Sequence, residues 1–174
     1  MRNLLVLVSD EHQSGLMGCA GHPFVSTPHL DRLATRSVRF SNAYTPSPIC
    51  VPARAAFASG RYVHQTGHSD NASAYTGTLR AWGDQLKDAR IPVESIGKLH
   101  YRDLHIPMMV QDGVGMVWAS IRHEDERLQA PGRMLGADIG AGESTYTRYD
   151  AAVTARTVDW LREAADRPQG WCLY

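Results

Sequence analysis

Leu4-Leu5-Val6-Leu7-Val8-Ser9-Asp10-Glu11 is the stretch on which the fold turns. Five consecutive apolar residues, β-branched in part and closed by polar ones, predict a strand buried on both faces. Continuous rather than alternating hydrophobicity points to a parallel sheet covered by helices. Asp10 and Glu11 then fall at the carboxyl end of that strand, where open α/β sheets place their ligand sites. The run is too short for a signal peptide and no small-residue cleavage site follows it. Nothing in the chain approaches the length of a membrane-spanning helix.

Working outward, strands and helices alternate. Thr27-Pro28 opens a helix, Thr27 as its cap and Pro28 in the first turn, with Leu30, Leu33 and Ala34 as the apolar face. Residues 37–44 alternate as a second strand. Ser47-Pro48-Ile49-Cys50-Val51-Pro52 turns into a helix over 52–59 that Gly60 ends. Cys50 lies at or just before that helix start, where amide donors and the macrodipole favour negative charge. A helix over 79–89 follows, then a strand over 93–96, a strand within 108–121 and a loop over 122–147. The clearest helix covers 149–165, with Ala152, Ala155, Val158 and Leu161 nearly on one face. Trp171-Cys172-Leu173-Tyr174 begins a further buried strand. This alternation defines an α/β class with a mostly parallel sheet flanked by helices.

Composition narrows the function. With Lys+Arg 18 against Asp+Glu 18, the formal net charge is zero, which argues against a nucleic-acid or membrane-surface partner. The three cysteines, Cys19, Cys50 and Cys172, are odd in number and lack metal spacing, so a reducing cytoplasm is the expected location. His12, His22, His29, His64, His68, His105 and His123 show no ligand spacing.

Cys50-Val51-Pro52-Ala53-Arg54 matches C-x-P-x-R, and here the sequence resembles the sulfatases of the alkaline-phosphatase-like superfamily. In that family this cysteine is oxidised to formylglycine; serine often stands where Ala53 does. The flanks, Ser47-Pro48-Ile49 and Ser59-Gly60-Arg61-Tyr62, resemble the family's first signature. Ser9-Asp10-Glu11 resembles its first metal-binding segment, with Glu11 in place of a second aspartate. Asn42-Ala43-Tyr44 followed by Pro48 resembles the approach to the nucleophile. Ile96-Gly97-Lys98-Leu99-His100 resembles the second signature, although Arg90 and Val93 depart from it. Asp70-Asn71 resembles a recurring family turn and reads as structural.

The resemblance implies a sulfate-ester hydrolase acting on a small-molecule sulfate ester or related anionic ester. Hydrated formylglycine at Cys50 would attack sulfur, and loss of a proton from its second hydroxyl would expel sulfate. A divalent metal, calcium first and manganese or magnesium after it, would be held by Asp10, Glu11 and the Cys50 position. Arg54 would support the nucleophile or its metal environment, and Lys98 and His100 would bind sulfate oxygens. The resemblance makes residues 1–174 the N-terminal part of a catalytic domain, with an incomplete sheet and further metal ligands downstream. Little turnover is expected from this part alone. Competing readings are an unmodified buried thiol at Cys50, a solvated strand end at Asp10 and Glu11, and a surface lysine at Lys98. Two other functions remain open: phosphonate or phosphate ester hydrolysis, and a non-catalytic fragment. The fragment would self-associate or bind a complementary chain along an unpaired edge of the 171–174 strand.

Overall fold

The computed structural model describes residues 3–71, 75–99, 101, 141–143 and 145–174. Three short parallel strands form its sheet: β1 (Leu4–Leu5), β2 (Val93–Glu94) and β3 (Cys172–Leu173), in the order β1-β3-β2. Leu4 and Leu5 lie opposite Cys172 and Leu173, which in turn lie opposite Val93 and Glu94. Ladder bonds extend past the strands: Val6 N–H donates to the Leu173 carbonyl at 2.8 Å and Ile96 N–H to the Tyr174 carbonyl at 2.9 Å.

The strand formed last in the chain is therefore the middle of the sheet. This corrects the expectation of an unpaired edge at 171–174, because β3 is hydrogen-bonded on both sides. The edges are β1 and β2, and the exposure of β1 corrects a second expectation. Leu4 is 50% and Leu5 39% exposed, so the apolar run that reads as buried is not covered among the described residues.

Helix α1 (Pro28–Ala34) begins where Thr27-Pro28 predicts, but Thr27 does not cap it through its side chain. Its hydroxyl instead accepts from Gly18 N–H at 2.9 Å and donates to Asp31 at 2.8 Å, tying the helix to the 3₁₀ turn Gly18–Ala20. Leu30 and Leu33, the expected apolar face, are exposed. Residues 37–44 form no strand. Alternation supplies a strand only when a neighbour accepts its ladder bonds; here Val38, Phe40 and Tyr44 face solvent.

Helix α2 (Cys50–Ser59) is the element that places the site. Alanine-rich and free of β-branched residues after Val51, it buries Val51, Pro52, Arg54, Ala55, Ala56 and Ala58. Small side chains allow Ala55 and Ala58 to pack closely with Tyr75 and Ala81. Gly60, at φ 67°, ends the helix in a left-handed turn, its N–H donating to the Ala56 carbonyl at 2.8 Å. The short α3 (Val63–Thr66) and α4 (Trp82–Asp88) follow. Trp82 and Leu86 of α4 cover Val93 and Cys172 of the sheet.

Helix α5 (Thr145–Ala164) starts inside the segment read as loop, so residues 145–147 are helical. Its inward face also differs from the expectation. Trp160 and Ala164 are fully buried, with Val153, Thr157 and Leu161 partly so, whereas Ala152, Ala155 and Val158 are exposed. Trp160 meets Trp171 edge-to-face at 4.8 Å, beside Leu173. Glu94 locks the helix to β2: its carboxylate accepts from Trp160 Nε1 at 2.6 Å and from Arg167 at 2.9 Å. The strand expected within 108–121, the loop over 122–140 and His100 lie outside the described residues. No helix among the described residues is long and apolar enough to cross a membrane.

Candidate active site

Parallel strands end together, so the segments following β1 and β2 meet at one sheet edge. Asp10 follows β1 and Lys98 follows β2, and helix α2 presents Cys50 and Arg54 to both. Arg54 is 8% exposed and reaches two acceptors 44 residues away in either direction. One guanidinium nitrogen donates to Asp10 Oδ1 at 3.0 Å, the other to the Lys98 carbonyl at 2.5 Å. Lys98 Nζ donates to the other Asp10 oxygen at 2.5 Å and lies 3.9 Å from Cys50 Sγ. Tyr101 donates to the Arg54 carbonyl at 3.3 Å.

Asp10 is thus held by two cations. Partial burial works against its charged form, but hydrogen bonds from Lys98 and then Arg54, with their charges, outweigh it and hold the carboxyl below its ordinary range. Tyr174, at the end of β3, feels the same charges; burial foremost, then Asp10, raises its phenol, while Arg54 opposes the shift.

Asp10, Glu11 and Cys50 bring one ligand atom each within 4.8 Å of one another. Glu11 has φ 56°, a left-handed backbone uncommon outside glycine. That turn lets consecutive carboxylates serve one place instead of opposite faces of an extended chain. Two hard oxygen donors suit a divalent cation such as calcium, and the group fits as part of a ligand set. Cys50 is the first residue of α2, two positions earlier in the helix than the proline pattern predicts. Cys172, by contrast, is buried in the sheet, and burial raises its thiol.

The structure thus brings together Asp10, Glu11, Cys50, Arg54 and Lys98, five of the six residues singled out by sequence. Asn71 was not among them. Its Oδ1 accepts from Val51 N–H at 2.9 Å, across 20 residues. The signal was present: Ile49 precedes the helix and has no side-chain acceptor for its first amides.

A three-stranded parallel sheet thus carries a cysteine at a helix start with two carboxylates and a lysine beside it. Comparison with known proteins gives the family. A Sulfatase family model matches residues 2–171, and the chain belongs to the sulfatase family.

Human arylsulfatase K is 34% identical over 164 residues, covering 94% of this chain and 30% of that protein. An N-acetylglucosamine-6-O-sulfatase of Bacteroides thetaiotaomicron is 33% identical over 98 residues, covering 56% of this chain and 18% of its own. The solved structure of BT4656 in complex with its substrate D-glucosamine-2-N,6-O-disulfate superposes with a TM-score of 0.71 at 22% identity. It covers 99% of this chain and 33% of that one, and shows the sulfatase fold. The chain spans about a third or less of the length of these relatives.

Proposed function

We propose that the whole protein hydrolyses sulfate esters at the Cys50 position, with Cys50 converted to formylglycine. The carrying observation is the convergence of Asp10, Glu11 and Cys50 within 4.8 Å, with Lys98 beside the cysteine. Conversion supplies a geminal diol, a nucleophile that sheds sulfate by elimination where a plain serine has no such route. Asp10, Glu11 and the Cys50 position would hold a divalent cation, calcium first, which would polarise sulfate oxygens.

The chain's own groups account for the rest. Lys98 Nζ, close to Sγ, balances negative charge on a bound ester and on its leaving oxygen. Arg54 fixes Asp10 and the Lys98 backbone relative to one helix, so the two strand-end segments keep a constant spacing. The start of α2 adds a favourable dipole for an anion. His100 is proposed to join Lys98 at the sulfate oxygens.

The relatives' names span an arylsulfatase, a sugar sulfatase and a choline-sulfatase, so the alcohol part of the ester is left to assay. Mass spectrometry of the Cys50 peptide from native full-length protein, with a panel of sulfate, phosphate and phosphonate esters, tests the reading. Formylglycine at Cys50 and a preference for sulfate esters support it. Unmodified cysteine in active protein, or a preference for phosphonates, overturns it. For the 174-residue chain alone we propose self-association, or cover by a complementary chain, through exposed Leu4, Leu5, Leu7 and Val8.

A further inference from the structure

Helix α2 enters the site with an incomplete cap, and the count of its amide donors says what completes it. The first helical bond runs from Ala53 N–H to the Ile49 carbonyl at 3.1 Å. The amides of Cys50, Val51 and residue 52 precede it and have no partner inside the helix. Residue 52 is proline and brings no N–H. Ile49, in the capping position, has an apolar side chain, and Ser47 Oγ is spent on Ile49 N–H at 3.2 Å. Val51 N–H is left, and its acceptor comes from outside the local segment: Asn71 Oδ1, at 2.9 Å. Among the described residues Cys50 N–H then makes no hydrogen bond.

We propose that Asn71 is a positioning residue for the Cys50 nucleophile, acting through Val51 as a long-range cap of α2. This rests on the sulfatase reading for its effect on turnover. Three features argue for it. Val51 is fully buried and directly follows Cys50, so holding its amide fixes the peptide plane that carries the nucleophile. The bond spans 20 residues, so it ties the helix start to the turn beyond α3 rather than to its own loop. Proline removes one of the other early donors, so the cap rests on a single hydrogen bond, without the redundancy of a local Ser or Asp.

The experiment uses full-length protein with Asn71→Ala and Asn71→Asp, read by amide hydrogen exchange at Val51 and by kcat and KM on an aryl sulfate ester. Loss of a cap predicts a roughly five- to thirtyfold rise in Val51 exchange in Asn71→Ala, with the exchange of β3 unchanged. Turnover falls in kcat by about tenfold or more, with KM moving little, as expected when geometry at the reacting centre is loosened. Asn71→Asp still offers an oxygen acceptor, which a helix start favours, and should restore Val51 protection to within about twofold. Val51 exchange that stays at the wild-type rate in Asn71→Ala overturns the proposal, whatever happens to activity. So does loss of protection with unaltered kcat. If wild-type protein cleaves no sulfate ester, the sulfatase reading fails, while Val51 exchange still decides whether Asn71 caps the helix.

Discussion

Replacing Arg54 with methionine tests how the site is held together. Methionine has a similar reach and keeps the apolar stem packed, so the change removes two donors with little loss of volume. The Lys98 carbonyl loses its partner at 2.5 Å in a part-buried setting, which costs about 1–3 kcal/mol for an orphaned acceptor. Asp10 loses one of its two cations, but its side chain is 38% exposed and it keeps Lys98, so water and Lys98 recover much of that bond. The sum is about 2–4 kcal/mol of destabilisation. Arg54→Lys keeps the charge but cannot span both acceptors, and should lose about half as much. Urea unfolding with unchanged m-value measures both. If Arg54→Met lies within about 0.5 kcal/mol of wild type, the guanidinium is not the link between the two strand ends and the reasoning is wrong.

Glu94→Gln leaves one oxygen for two donors, Trp160 Nε1 and Arg167. It should cost about 1–3 kcal/mol in urea unfolding, and equality with wild type would show that the bridge to α5 is dispensable. Asp31 sits below its ordinary pKa of 3.8, first through the Thr27 hydroxyl and against a desolvation penalty, with the Cys19 amide adding to the lowering. A lowered folded pKa contributes stability above 3.8 that is lost as pH falls through the folded value. Asp31→Asn should therefore be less stable than wild type at neutral pH, with the gap closing in acid; a gap that widens in acid would contradict the sign. The 174-residue chain should grow in apparent mass with concentration in light scattering, and a monomer throughout would show that β1 needs no cover.

Much of the site was legible because local chemistry specifies it. Pro52 in the first turn and Gly60 at the end mark α2, and the motif around Cys50 then puts the thiol at a helix start without any tertiary information. The carboxylates after an apolar strand and Lys98 after a second one had to meet once those strands were parallel neighbours of a third. What stayed hidden was non-local. Nothing in Trp171-Cys172-Leu173-Tyr174 says that it inserts between strands whose partners lie about 80 and 170 residues earlier, a matter of chain topology. Residues 37–44 have strand alternation, but a pattern carries no information on whether a partner exists. Alanine marks no face, so the spacing of Ala152, Ala155 and Val158 does not identify the inward side of α5. The row Val153, Thr157, Trp160, Ala164 carries the large buried ring instead. The apolar Ile49 signals a missing cap, but nothing in the sequence says that the acceptor is Asn71, 20 residues away in a turn that reads as structural.

Cys50, set among Asp10, Glu11, Arg54 and Lys98, is proposed to carry the nucleophile of a sulfate-ester hydrolase. The most direct measurement is inorganic sulfate released by the full-length protein and by its Cys50→Ala variant, purified side by side and matched for folding. Release by the wild type is expected, with a loss of about a thousandfold or more in the variant, the scale on which removing a nucleophile acts. Sulfate release by Cys50→Ala at the wild-type rate would contradict it.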